Sequence, residues 1–249
     1  MSSPPRRPAW QTALDFDAQA EDHYLDHVNA PLLDFVEGAP REVLELGCAG
    51  GAFGARLKER FPGVRVTGVE AGKAAAAKAA TRIDRVIHAR LEGMDLDADG
   101  IARGSLDAVI AADVLEHIAN PWKLLVDLRP FMAPGGALIA SIPNVRNLSL
   151  IGDLVVKGEW TYAERGLLDV THLRFFTLAS AHAMFAETGW RVETYKLNIA
   201  PGLADFWRQS QGRGEINVRA GKMSLENLTR SELDELCALQ FFMRCRVAA

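Results

Sequence analysis

Residues 43–54 read "VLELGCAGGAFG": an apolar run interrupted by one acid, then three glycines within five small residues, then the start of a new apolar stripe. Such a run predicts a buried strand that turns directly into a helix, with glycine where the backbone must enter conformations closed to side chains. The amides of a strand-to-helix turn lie where an anionic group can approach. Two phosphate motifs are nevertheless excluded. The dinucleotide fingerprint G-x-G-x-x-G would fall on Gly47, Ala49 and Ala52, so two of its three glycines are missing, and no Lys-Ser/Thr pair comes after them to make a P-loop. Taken alone, the stretch also fits a tight connection that binds nothing.

Two acids near the turn narrow the choice. Glu70 closes a second apolar run, "VRVTGVE", about twenty residues on, where an acid in an open α/β sheet can bond both hydroxyls of a ribose. Glu45, just before the turn, would repel a diphosphate but could orient the turn or meet an ammonium group. A nucleoside with a cationic tail fits these two acids better than a dinucleotide.

The chain is long enough, at 249 residues, to bury a large core, and its 49% apolar and 24% charged composition is that of an ordinary globular protein. Its net charge of −4 argues against a broad nucleic-acid footprint, and no run of about 18 apolar residues suggests a membrane span. Cys48, Cys237 and Cys245 form no CxxC pair, which points to a reducing, cytoplasmic setting rather than a disulfide framework. The runs "EVLEL", "VRVTGVE", "DRVIHA", "LDAVIAA" and "GALIASI" alternate with helical patterns, the rhythm of a parallel sheet covered on both faces. The expected organisation is one domain over 1–249, with residues 1–20 flexible. After Asn144 the rhythm stops, and residues 145–176 read as an insertion over the open end of the sheet. Thr177 then caps a helix that stops at Gly189, "GWRVETYKL" reads as a strand, a polar stretch leads to the short helix "RSELDELCA", and "LQFFMRCRV" reads as a last strand.

Five stretches in unbroken order, "VLELGCAGGAFG", Glu70 after "VTGV", "ADVLEHIANPW", "MAPGGALIASIPN" and "GLLDVTHLRFFT", resemble the class I S-adenosylmethionine-dependent methyltransferases. The likeness is greatest to the branch of ubiquinone-biosynthesis O-methyltransferases and methyltransferases of sugar and polysaccharide pathways. The resemblance implies an α/β, Rossmann-like, doubly wound seven-stranded sheet, mostly parallel with an antiparallel last strand, and S-adenosyl-L-methionine as cofactor. It implies that Glu45, Gly47, Cys48, Ala49, Gly51 and Phe53 line the methionine portion, with backbone amides meeting its carboxylate. Glu70 would hold the ribose, with Ala71 also at the cofactor; Glu92 or the Leu91 backbone would bond the adenine amino group, or packing alone would hold the ring; Asp113, Leu115 and His117 would lie near the methyl donor. Two positions depart from the pattern. Ala49 replaces a glycine and permits close approach if its φ is negative, and Arg90 stands where an adenine-binding aspartate is common.

A hydroxyl acceptor must lose its proton, and histidine is suited to take it. His172, in "LLDVTHLRFF", is the candidate base, with Asp169 to orient its imidazole and bracing of the insertion as the plainer role for both. Asn144, Arg146, Trp160, Tyr162 and Arg174 form an aromatic and cationic set for the acceptor, a small molecule with a sugar or sugar nucleotide in view, or else simply pack the insertion. Glu116 and His117 have capping and packing as their alternative role. His23 and His27 are spaced for a metal but have no third ligand in pattern, so no metal site is assigned. The rival functions are N-methylation of an amine, a catalytically silent binding module, and an NAD-dependent oxidoreductase, the last opposed by the broken fingerprint.

Overall fold

In the computed structural model, which describes residues 25–212 and 215–248, the glycine-rich stretch is strand β1 (Glu42–Leu46) running into a helix. After helix α1 (Ala30–Leu33) and β1 come α2 (Ala52–Arg60), β2 (Arg65–Glu70), α3 (Lys73–Ala79), β3 (Arg85–His88) and β4 (Leu106–Ala112). Next are α4 (Pro121–Leu128), β5 (Met132–Pro143), α5 (Leu148–Gly152), α6 (Leu178–Glu187) and β6 (Trp190–Ile199). The last elements are α7 (Ala204–Gln209), the hairpin β7 (Ile216–Ala220) and β8 (Met223–Leu228), α8 (Arg230–Cys237) and β9 (Ala238–Val247). The main sheet has seven strands in the order β3-β2-β1-β4-β5-β9-β6. β9 runs antiparallel to both its neighbours, while the β1, β2, β3, β4 and β5 pairings are parallel. The doubly wound sheet with an antiparallel last strand is therefore present.

Alternation along the strands supplies both cores. Leu44 and Leu46 face a cluster with Leu124, Leu125 and Leu128 of α4 and Ala181, Met184 and Phe185 of α6. Val43 faces the other side, with Leu32 of α1, Phe53 and Leu57 of α2 and Ala79 of α3. Each face buries about 2 kcal/mol per large apolar side chain, which explains why the strands read as continuous apolar runs. The caps also agree with the sequence: Thr177 and Ser180 form a reciprocal capping box at α6, and Gly189 turns the chain afterwards at φ 75°.

Two excursions leave the sheet at its carboxyl edge, and each is pinched at its base. The expected insertion closes where Val145 N donates to Phe176 O at 2.9 Å. A second, read from sequence only as polar tail and short helix, closes where Ala200 N donates to Cys237 O at 2.8 Å. It contains α7 and the β7–β8 hairpin, and its Ile216, Val218, Leu233 and Leu236 form a third apolar cluster with Leu148 of the first excursion. Residues 1–20 and His23 lie outside the described residues. No helix among the described residues is long and apolar enough to cross a membrane, and all three cysteines are free and buried.

Candidate active site

The glycine turn bends through three left-handed residues, Gly47 (φ 59°), Ala49 (φ 46°) and Gly51 (φ 73°). The negative φ on which close approach at Ala49 depended is absent: its methyl sits in a conformation costing an alanine about 1 kcal/mol. The expected amide cradle is corrected in part as well. Cys48 N donates to Val69 O, Gly51 N to Cys48 O, and Ala49 N to Glu70 Oε2 at 2.8 Å, so these three amides hold the turn itself. Glu70 Oε1 accepts from Gly72 N at 2.7 Å. Each of its oxygens keeps a lone pair, so the carboxylate is fixed from below and can still accept from ribose hydroxyls. His88 Nε2 lies 3.0 Å from Ala71 O and steadies the residue beside it.

Several residues expected to line the cofactor are buried beneath the glycine turn or in the two cores. Glu45 is 3% exposed, receives the Gly54 amide, and leaves Oε2 without a partner; burial pushes its pKa up to about 8. It braces the turn as a neutral acid and leaves little surface for an ammonium group. Phe53 and Leu115 are buried in the two cores, and Cys48 packs its thiol against Gly68. Leu91 rests against the core, and the Glu92 carboxylate lies 4.0 Å from Arg90 Nε.

Past β4 the chain makes a tight turn at Leu115–His117, at the point where the strand order reverses and ligands collect in such sheets. Glu116 is 1% exposed and neither carboxylate oxygen has a partner among the described residues; burial raises its pKa well above the usual carboxylate range. The first excursion brings His172 to it, and His117 follows it in the same turn. His172 donates from Nδ1 to Leu167 O (3.2 Å), which leaves Nε2 as a lone pair 4.0 Å from Glu116 Oε1. His117 stacks edge-on against His172 with ring centres 4.7 Å apart. Thr171 Oγ1 donates to Asp169 Oδ1 (2.6 Å) and therefore accepts from His117 Nδ1 (2.9 Å). Asp169 thus orients His117 through Thr171; it accepts from the His172 amide through its backbone carbonyl at 3.0 Å, but its carboxylate makes no hydrogen bond to the His172 imidazole, a correction forced by the tight 169–172 turn. Burial lowers the pKa of both histidines, so each offers a neutral imidazole. One carboxylate oxygen and two imidazole nitrogens lie within 4.8 Å of one another, a donor set that fits a divalent cation as well as a proton. The sequence signal for Glu116 was its place beside His117 after a strand end, yet its burial without a partner could not be read there.

A methyltransferase-domain family model matches residues 21–195. The chain belongs to this family. The methyltransferase domain is 31% identical over 126 residues to a ubiquinone biosynthesis O-methyltransferase of Maricaulis maris, covering 47% of this chain and 46% of that protein. It is 25% identical over 226 residues to a malonyl-[acyl-carrier protein] O-methyltransferase of Geobacter sulfurreducens, covering 84% and 80%. The match spans about half the length of most curated relatives. A solved S-adenosylmethionine-dependent methyltransferase from Archaeoglobus fulgidus shares the fold, with TM-score 0.58 and 15% identity over 87% of this chain and 90% of that one. S-adenosylmethionine is the cofactor of this family, and the left-handed turn with Glu70 beside it suits that ligand.

In this methyltransferase-family chain two expected acceptor residues serve the scaffold instead. Asn144 is fully buried and donates to Glu235 O (2.7 Å) and Ala238 O (3.0 Å), while Arg146 pairs with Glu235 at 2.6 Å. Together they fasten the two excursions to each other. Arg174 donates to Ala119 O at 3.0 Å through Nε. Trp160 packs edge-on against Phe175 at 5.3 Å, and Tyr162 is exposed, so the aromatic members remain at the surface of the first excursion.

Proposed function

We propose that this chain methylates a hydroxyl oxygen of a small acceptor, in the class of sugars and sugar nucleotides. The observation that carries the reading is the unpartnered Glu116 carboxyl facing two neutral imidazoles where the strand order reverses. When bound, S-adenosylmethionine supplies a methyl group on a sulfonium, which departs as a neutral thioether. The residues then need only align the acceptor and relieve it of its proton. His172 Nε2 carries a free lone pair and is unprotonated at neutral pH, which suits it to accept that proton as the oxygen–carbon bond forms. His117, held by Thr171 and Asp169, fixes the other side of the same space.

A second reading is favoured by the two unbonded oxygens of Glu116. A divalent cation held by Glu116, His117 and His172 would ionise the carboxyl and stabilise the acceptor oxygen as an alkoxide. Incubation with methyl-labelled donor and a panel of sugars, sugar nucleotides, phenols and amines tests the proposal. Label on oxygen of a sugar supports it, and label on amines alone overturns it. Repeating the assay after chelation, with metal added back, separates the proton acceptor from the cation site.

A further inference from the structure

A polar row crosses the carboxyl edge of the sheet on the side away from the glycine turn. Asp113 comes just after β4, Ser141 lies on β5, Gln240 on β9 and Asn198 on β6, four adjacent strands. The register places them together, since Gln240 pairs with both Pro143 and Asn198, and Pro143 shares a strand face with Ser141. Ser141 Oγ donates to Asp113 Oδ1 at 2.8 Å, Gln240 Nε2 donates to the same oxygen at 3.0 Å, and Asn198 Nδ2 donates to Gln240 Oε1 at 3.2 Å. Asn29 joins from the opposite layer, its Nδ2 3.3 Å from Asp113 Oδ2.

Two irregularities bring these groups together. Asp113 adopts φ 55°, a left-handed conformation uncommon outside glycine, and thereby meets Ser141 with both its amide and its carboxylate. Asn29 occupies the N-cap position of α1, but its side chain makes no cap bond and reaches to Asp113 and Ser141 instead. Folding thus forgoes a local cap bond in favour of this arrangement. Asn29, Asp113, Asn198 and Gln240 are each only half-buried, and the Asn29 and Asn198 side-chain carbonyls accept no hydrogen bond among the described residues. The row also adjoins the proposed reacting centre, because Asp113 lies close enough to Glu116 and His172 to act on both electrostatically.

We infer that Asn29, Asp113, Gln240 and Asn198 form the floor of the acceptor site and select a polyhydroxylated, saccharide-like ring over a flat phenolic one. This rests on the O-methylation reading and adds to it the residues that choose the acceptor. A ring with several hydroxyls can donate to the open amide carbonyls and accept from the amide hydrogens while presenting one hydroxyl to Glu116, His117 and His172. A phenol would cover the same amides with carbon and strand them without partners, the kind of mismatch by which polar sites reject analogues by large factors.

The test is ligand-detected NMR on the full chain saturated with S-adenosylhomocysteine, against one mixture of monosaccharides and sugar nucleotides and another of phenols and catechols. Saccharide signals are expected in the wild type, and at least about tenfold weaker binding in Gln240→Leu and in Asn198→Ala, with S-adenosylhomocysteine affinity unchanged in both. Asn198→Ala, at the end of β6, serves as the check if Gln240→Leu fails to fold. Phenol signals without saccharide signals, no signal from either mixture, or saccharide binding unchanged in the variants would each overturn the inference. Failure of the wild type to bind S-adenosylhomocysteine would instead count against the methyltransferase reading beneath it.

Discussion

Glu116 Oε1 and His172 Nε2 stand 4.0 Å apart, too far for a hydrogen bond, and the carboxylate has no other partner. A buried, unbonded carboxyl costs roughly 1–3 kcal/mol, and these atoms are spaced so that a cation could be shared between them. Replacing Glu116 by glutamine should preserve its shape. If a cation occupies the space, equilibrium dialysis with zinc or manganese will show binding to the wild type and at least about a tenfold loss in Glu116→Gln, the size of effect expected from losing a charged ligand.

His172 Nδ1 donates to Leu167 O, which leaves its Nε2 with a free lone pair for the acceptor proton. Its substitution by alanine is expected to lower kcat by about a hundredfold, with cofactor affinity nearly unchanged, the pattern for loss of a general base. Steady-state kinetics beside calorimetric titration of S-adenosylmethionine will distinguish this from general damage, and full turnover would remove His172 from the chemistry.

Asp169, Thr171 and His117 act as one chain of hydrogen bonds. Thr171→Val and Asp169→Asn should therefore each reduce kcat, by roughly tenfold, and the double variant should do little worse than either single one. Additive losses in that cycle would mean that the two residues work separately.

Glu45 gives the protein a pH signature. Its pKa is pushed up to about 8 in the folded chain, above the ordinary glutamate value of 4.5, so the folded state holds an extra proton between those values. Stability from this group is greatest below the lower value and is lost as pH rises toward the upper one. Glu45→Gln, which mimics the protonated side chain, should gain at least about 2 °C in Tm relative to wild type on going from about pH 5 to about pH 8. A constant difference across that range would contradict the assignment.

Ala49 stands at φ 46° where glycine would be unstrained. Ala49→Gly is expected to stabilise the fold by roughly 0.5–1 kcal/mol, relief of the left-handed strain being partly offset by a more flexible unfolded chain. Thermal denaturation measures it, and a lower Tm would show that the methyl packs to advantage.

The sequence alone carried most of the scaffold. The apolar runs of β1, β2, β4, β5 and β9 could be read because both faces of a doubly wound sheet are buried, and Thr177 and Gly189 marked α6 by local bonds. The β7–β8 hairpin was not legible although both strands alternate, because they are only five and six residues long, lie beside a polar stretch, and bury their apolar side against residues of the other excursion, such as Leu148. The site divided along the same line. Glu70 and the glycine turn each end one of two adjacent parallel strands, so their meeting across twenty-one residues could be anticipated from the strand spacing.

The roles of Asn144, Arg146 and Asp169 were decided elsewhere. Asn144 and Arg146 meet partners about ninety residues away, and Asp169 reaches His117 through Thr171, fifty-four residues distant from it. Sequence spacing fixes what a strand or a cap does, because those energies come from groups a few residues apart. Only the folded chain decides which carboxylate stays bare, which imidazole turns toward it and which amide faces a ligand, since those outcomes depend on burial and on partners that the backbone brings together from distant segments.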